Sequence, residues 1–394
     1  MEATAWTALQ ICVLLTLAAG GASCSGGEAA PADGNAVTSA AVKGFAAAAE
    51  KIGADAWSRS TDAATLAWGQ SYVLMAYLAM WEGTGETAYL DRFLTHCDRV
   101  LAARDDRHDV TDEIRGKVMP SWSTTKYTRG KRYAWIVHAG MITYPMARWA
   151  WLIRRDPAMR KRYADKAREY VKAVAETVAA FDDAWREGPN DGEGHYLGRY
   201  LKRALPLNQQ NAMGRTLVAL HLATGRDEYR SRAAKLARYF KNRIRRVDDR
   251  YVWSYWPPRS GAEDFSHAAI NVDFAVACCR AGIVFDAGDM AAFARTFRRA
   301  SKGASGFTTA VDGRGGPDAR HSAQAGRWLH LAFYDPDLRG VACKYYEGRW
   351  AISGTAGLVA AAYLVETARP LRPERPVSDP GGSDVTPQTR PAGR

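Results

Sequence analysis

Apolar positions recur at helical spacing through most of the chain between residues 36 and 368, and they come in pairs of segments. "TLAWGQSYVLMAYLAMWEGTG" places Leu66, Tyr72, Val73, Tyr77 and Met80 on one stripe, and "ETAYLDRFLTHCDRVLAARDD" repeats it through Tyr89, Phe93, Cys97 and Val100. The two join at Gly83 to Gly85, which predicts an antiparallel helical hairpin. Thr224-Gly225 stands to Tyr229 as Thr84-Gly85 stands to Tyr89, so "NAMGRTLVALHLATGRDEYRSRAAKLARYFKNRI" predicts a second hairpin of the same design. A third runs through "ITYPMARWAWLIRRDPAMRKRYADKAREYVKAVAETV" with Asp156-Pro157 as its break, and a fourth through "INVDFAVACCRAGIVFDAGDMAAFARTFRRAS".

Hairpins in series mean an array. Aromatic-rich first helices alternate with Arg/Ala-rich second ones, which predicts an all-α ring, an (α/α) toroid or incomplete barrel, with the first helices inside. Turn-rich segments precede these inner helices: "DVTDEIRGKVMPSWSTTKYTRGKRY", "WREGPNDGEGHYLGRYLKRALPLNQQ" and "DDRYVWSYWPPRSGAED". On a ring their residues converge on one rim. A helical solenoid that only binds a partner has the same periodicity.

The two ends read differently. An apolar run from Ala5 to Ala19, followed by small residues and Cys24, has signal-peptide length, and "GASC" has the form of a lipoprotein cleavage site with Gly21 where Leu is usual. Residues 1–23 are therefore expected to be removed and the protein exported, to the periplasm, the medium or the cell surface, with Cys24 as the lipid-attachment point in the last case. After Glu366 come six of the sixteen prolines, so residues 369–394 are expected to be a disordered tail. Cys97, Cys278, Cys279 and Cys343 form no C-x-x-C pair, which speaks for buried thiols, with one disulfide as the alternative, and against a zinc site. The net charge of +12 draws an exported protein toward anionic partners, yet there is no Lys/Arg block or nucleic-acid signature; an acidic polysaccharide is the expected partner.

Four inner-helix starts carry polar residues: His138 and Tyr144; Asn208, Gln209, Gln210 and Asn211; Glu263, Asp264, His267 and Asn271; Tyr345, Tyr346, Arg349 and Trp350. Singly, such residues usually cap helices. Trp122, Trp253, Tyr255 and Trp256 lie on the preceding loops, the last three flanked by proline, where they would form a platform for sugar rings. Elimination across a uronic acid needs a partner for the carboxylate, a base and an acid. Asn211, Arg349 or His138 would supply the first, His267 or a Tyr the second, and Tyr345 or Tyr144 the third, with no metal or cofactor. Hydrolysis instead needs two carboxylates, for which Glu263 or Asp264 would pair with Asp112, Glu113 or Asp191.

On "HAGMITYP" and "EDFSHAAINVDF" the chain resembles the (α/α) toroid polysaccharide lyases that act on alginate-like or glucuronan-like polymers, although the Asn-Asn-His-Ser-Tyr signature of one alginate lyase family is absent. The resemblance implies Asn211 and Arg349 as carboxylate partners and His267 with Tyr345 or Tyr346 as base and acid. Ser266 or Asp264 would cap the helix, with Glu263 and His267 facing the cleft. The alternatives are a six-hairpin-type glycoside hydrolase using Glu263 or Asp264 and a non-catalytic carbohydrate-binding toroid.

Overall fold

The structure, a computed structural model, describes residues 34–258 and 261–377; the expected signal segment with Cys24 lies outside them. Its helices are Gly34–Ile52 (α1), Ala63–Thr65 (α2), Ser71–Thr84 (α3), Ala88–Ala102 (α4), Ile136–Arg155 (α5), Pro157–Ala179 (α6), Leu207–Thr224 (α7), Asp227–Lys241 (α8), Phe265–Arg280 (α9), Ala287–Ala300 (α10), Ala319–Ser322 (α11), Leu338–Tyr346 (α12) and Gly354–Glu366 (α13). A π-helical turn, Leu66–Gln70, joins α2 to α3, and a 3-10 stretch, Ala325–Phe333, precedes α12.

The chain folds as an (α/α) toroid. Its inner ring runs α3, α5, α7, α9, Ala325–Phe333 and α13, and α13 packs back on α3 to close it. Each of α4, α6, α8, α10 and α12 backs an inner element, while α1, from the other end of the chain, backs α13. Four hairpins are those the sequence predicts; the other two complete the circle.

The inner helices are apolar all round rather than striped. Ser71 to Met80, Ile136 to Ile153 and Leu207 to Ala223 are buried without interruption, as expected of a helix enclosed by neighbours on every side. This corrects the stripe read on the first hairpin. The outer helices carry the stripe, with Leu90, Phe93, Cys97 and Val100 of α4 facing inward.

The repeated Thr-Gly has a structural cause. Gly85 and Gly225 both end an inner helix in the left-handed region, at φ 81° and 70°, and in each case the preceding Thr hydroxyl donates to the carbonyl four residues back at 2.7 Å. Asp156 caps α6 through Ala158 N and Met159 N, with Pro157 in the first turn. Where α5 crosses α7, a Cβ on Gly140 would stand 2.5 Å from the backbone of Ala212 and of Met213, so only glycine permits this approach.

Short antiparallel ribbons stiffen the loops at the amino-terminal rim: Thr111–Asp112 (β1) with Lys117–Val118 (β2), Trp185–Glu187 (β3), Gly194–Gly198 (β4) and Arg203–Ala204 (β5) in a three-stranded sheet, and Arg245–Val247 (β6) with Arg250–Val252 (β7).

Part of the expected tail is ordered. From Arg369 to Val377 the chain straps across the carboxy-terminal end of the ring. Glu374 ion-pairs with Arg148 and Arg280, Trp151 Nε1 donates to Arg375 O at 3.0 Å, and Val377 N donates to Leu222 O at 2.9 Å. Three specific anchors hold what composition reads as disorder; residues 378–394 lie outside the description. The four described cysteines are free thiols. Among the described residues no helix is long and apolar enough to cross a membrane.

Candidate active-site cleft

The helix N-termini of α5, α7 and α9 and the three turn-rich loops before them enclose a cleft of about 720 Å³. Its walls are Trp68 from the π-helical turn, Tyr127 and Arg129 from the first loop, Trp135, Val137 and His138 at the start of α5, Tyr200, Leu201 and Arg203 from the second loop, Pro206, Asn208 and Gln209 at the start of α7, Tyr255 and Trp256 from the third loop, and His267 at the start of α9. Among the described residues that line it there is no carboxylate.

Asp264 organises one side. Its Oδ1 caps α9, accepting from Ser266 N and His267 N, both at 3.0 Å, and from Ser266 Oγ at 2.6 Å. Its Oδ2 holds His267 Nδ1 in a close hydrogen bond, which turns the opposite nitrogen, Nε2, away from the carboxylate. Burial would raise the Asp264 pKa, but the hydrogen bond and charge of His267 outweigh it and hold the carboxyl well below the usual range. The Tyr255 ring lies over His267 with centroids 5.3 Å apart. Burial, with Glu263 behind it, pushes the Tyr255 phenol upward, so it stays protonated.

His138 forms the opposite wall, between Trp68 and Tyr127 at centroid distances of 5.5 and 6.1 Å. Burial lowers its pKa to about 3, which makes it a neutral hydrogen-bonding group rather than the cation a carboxylate would need. Trp135 Nε1, His138 Nδ1, Asn208 Oδ1 and Gln209 Oε1 are buried in this wall without a partner among the described residues. Arg203 stacks on Trp256 at 3.3 Å, which places a cation at the rim.

The cleft therefore gathers His138, Asn208, Gln209, His267, Tyr255 and Trp256 of the residues singled out in the sequence. The others lie elsewhere. Glu263 is fully buried beneath the rim, accepting from Trp253 Nε1 and from Asn271 Nδ2 at 2.6 Å; burial and the neighbouring Asp264 push its carboxyl well above the ordinary range. It faces the core and not the cleft, and Asp264 is the cap. Asn211 donates to Asn271 Oδ1 at 2.7 Å and ties α7 to α9. Gln210 accepts from Tyr196 N at 2.9 Å and donates to Leu205 O at 2.8 Å, fastening the second loop to the ring. Trp122 and Trp253 are core side chains, the former donating to Val100 O at 2.8 Å.

Tyr144 lies midway along α5, beside a narrow cavity of about 30 Å³ shared with Arg148, Asp273, Arg280, His330, Glu366 and Glu374. That volume holds about one water and no sugar. Here His330, between Asp273 at 2.6 Å and Glu366 at 3.2 Å, is raised to about 9 against the opposing effect of burial. Tyr346 is buried, its hydroxyl accepting from Gly326 N and donating to Ala323 O. Trp350 stacks on Tyr346 at 5.1 Å, while Tyr345 packs on Phe307 and receives Arg349 through its carbonyl at 2.7 Å. None of these four lines the cleft. Of the carboxylates offered for hydrolysis, Asp112 is buried against Arg115 at 2.7 Å, Glu113 accepts from Arg132 N, and Asp191 is exposed on the second loop.

No known family model matches the chain, and no curated protein matches it in sequence. Solved structures do. The alpha-1,6-mannanase of Salegentibacter sp. HEL1_6 is similar over 85% of this chain and 99% of its own, at 9% identity and a TM-score of 0.50. An inactive variant of that mannanase in complex with an alpha-1,6-linked mannotetraose matches 86% of this chain and 99% of its own at 9% identity and a TM-score of 0.47. The unsaturated glucuronyl hydrolase of Bacillus sp. GL1 matches over 83% and 84%, at 15% identity and 0.47. At these identities the likeness is one of fold alone.

Proposed function

We propose that the protein is an enzyme that cleaves a uronic-acid-containing polysaccharide in this cleft by β-elimination. The observation that carries the reading is the Asp264–His267–Tyr255 cluster, opening on a cleft without a lining carboxylate among the described residues. Asp264 fixes the imidazole so that His267 Nε2 can take the proton from the carbon beside the sugar carboxylate. The electron pair left behind forms the new double bond as the glycosidic bond breaks, and Tyr255, kept protonated, returns a proton to the departing oxygen. The Asn208 and Gln209 amides and the Arg203 cation replace Asn211, Arg349 and His138 as candidates for meeting the substrate carboxylate. The unpartnered polar atoms around His138 suit a hydroxyl-rich ring, with Trp68, Trp135 and Trp256 as apolar faces.

Hydrolysis is the second reading. It is favoured by the side chain of Asp264, 32% exposed and held ionised, and by the likeness of the fold to that of an alpha-1,6-mannanase. It requires a second carboxylate within reach, since both hydrolytic mechanisms use a pair.

Two substitutions test the choice. Under elimination His267→Ala removes turnover by about 10²- to 10⁴-fold, the range of a general base. Turnover that survives His267→Ala but is lost in Asp264→Asn would transfer the role to the carboxylate and favour hydrolysis. Binding that persists in both variants, with no product from the wild-type protein on any polymer, would leave a carbohydrate-binding toroid.

A further inference from the structure

Asp264 and Asp318 are built alike. Each stands three residues before a histidine, caps the helix that carries it, and accepts from that histidine twice. Asp264 accepts from His267 N at 3.0 Å and from His267 Nδ1; Asp318 accepts from His321 N at 2.8 Å and from His321 Nδ1 at 2.7 Å. The second motif opens α11, which packs against α9. With its Nδ1 held by Asp318, His321 presents Nε2 to Asp264 Oδ1 at 3.9 Å, an ion-pair distance. The side chains thus form a chain Asp318, His321, Asp264, His267, in which the Asp318 end is 43% exposed and the His267 end opens on the cleft.

We infer that His321 is a positioning residue of the cleft, coupled through Asp264 to the protonation of His267. Asp264 is shared between two imidazoles, so a charge on one alters how firmly the carboxylate supports a charge on the other. Other titratable groups around the chain, among the described residues, are Glu263 behind Asp264, Tyr255 over His267, Arg320, whose backbone N–H bonds Asp318, and Tyr345 within electrostatic reach of Asp318.

The sign follows from Coulomb's law. A proton on His321 draws on Asp264 and opposes a second positive charge at His267. Replacing it by neutral glutamine removes that opposition and lets His267 hold its proton more tightly. The functional consequence rests on the elimination reading: a base that must be neutral then works only at higher pH, and the acidic limb of the activity profile moves alkaline by the same amount.

The test is a histidine-resolved NMR titration of the full chain, wild type and His321→Gln, with His321→Asn as a second variant and circular dichroism to check folding. An upward shift of the His267 midpoint in both variants is expected. An unchanged His267 midpoint overturns the inference, whatever the activity. A shifted midpoint with an acidic limb that does not follow would instead refute His267 as the base and leave the coupling standing.

Discussion

Substitution of Glu374 tests the strap that closes the carboxy-terminal end of the ring. Its carboxylate is 1% exposed and bonded to Arg148 and, at 2.8 Å, to Arg280. Removing one partner of a buried pair costs about 3 to 5 kcal/mol, because the remaining charge is stranded. Here the strand is incomplete: Arg148 keeps Glu82 at 3.1 Å and Arg280 keeps Glu366 at 3.8 Å. Glu374→Ala should therefore cost about 3 kcal/mol, the low end of that range. At about 2.1 cal/mol/K per residue, a folded unit of roughly 340 described residues unfolds with an entropy of about 0.7 kcal/mol/K, so Tm should fall by about 4 °C. The effect must depend on pH in one direction. Burial opposes ionisation of Glu374, yet Arg148 and Arg280 outweigh it and hold its carboxyl below the ordinary value. The stability it contributes is present above the unfolded pKa of about 4.3 and is lost as pH falls through the lower folded value. The assay is a thermal melt of wild type and Glu374→Ala at neutral pH and again at about pH 3. A fall of several degrees that narrows in acid is expected, and truncation after Ala368 should give a fall at least as large. A neutral-pH difference below about one degree, or one that widens in acid, would refute the strap as a structural element.

Three further outcomes follow from the same geometry. Tyr255→Phe should lower turnover by about 10²-fold while Tyr345→Phe leaves it unchanged, since only the first lines the cleft; steady-state kinetics on the responsive polymer would decide. His138 is held neutral down to about pH 3, so the unfolded chain binds the extra proton first and this residue costs stability as pH drops below about 6.5. Denaturant melts of His138→Phe should accordingly show a shallower loss of stability between pH 6.5 and 4 than wild type, by comparison with the normal histidine pKa of about 6.5. Gly140→Ala should destabilise by about 1 to 3 kcal/mol, because the methyl group meets the α7 backbone, which cannot rotate away.

How far the sequence reaches can be judged from particular residues. Four hairpins were legible because Thr-Gly and Asp-Pro mark chain reversals whose geometry is local, and Gly85 and Gly225 are built alike. The fifth inner element was not, since Ala325–Phe333 is 3-10 and too short to display a 3.6-residue period. The pairing of α1 with α13 joins the two ends of the chain, which no local pattern expresses. In the cleft, His138, Asn208 and His267 lie in the first turns of their helices, and this position found them. Tyr144 and Asn211 look the same in the sequence, although each lies further along its helix. At a rise of about 1.5 Å per residue, Tyr144 is about 9 Å deeper than His138, midway along α5 and below the cleft. Trp68, Tyr127 and Tyr200 come from a π-helical turn and loops, where periodicity says nothing. His321 did leave a signal: "DARH" repeats the Asp-x-x-His spacing of "DFSH".

Near-ultraviolet absorbance during incubation with a panel of uronic-acid polysaccharides tests elimination most directly, because only elimination creates a conjugated unsaturated uronate. The account predicts a steady rise on at least one polymer, absent in His267→Ala. Reducing ends appearing on the panel with flat absorbance would contradict it and establish hydrolysis in the same cleft.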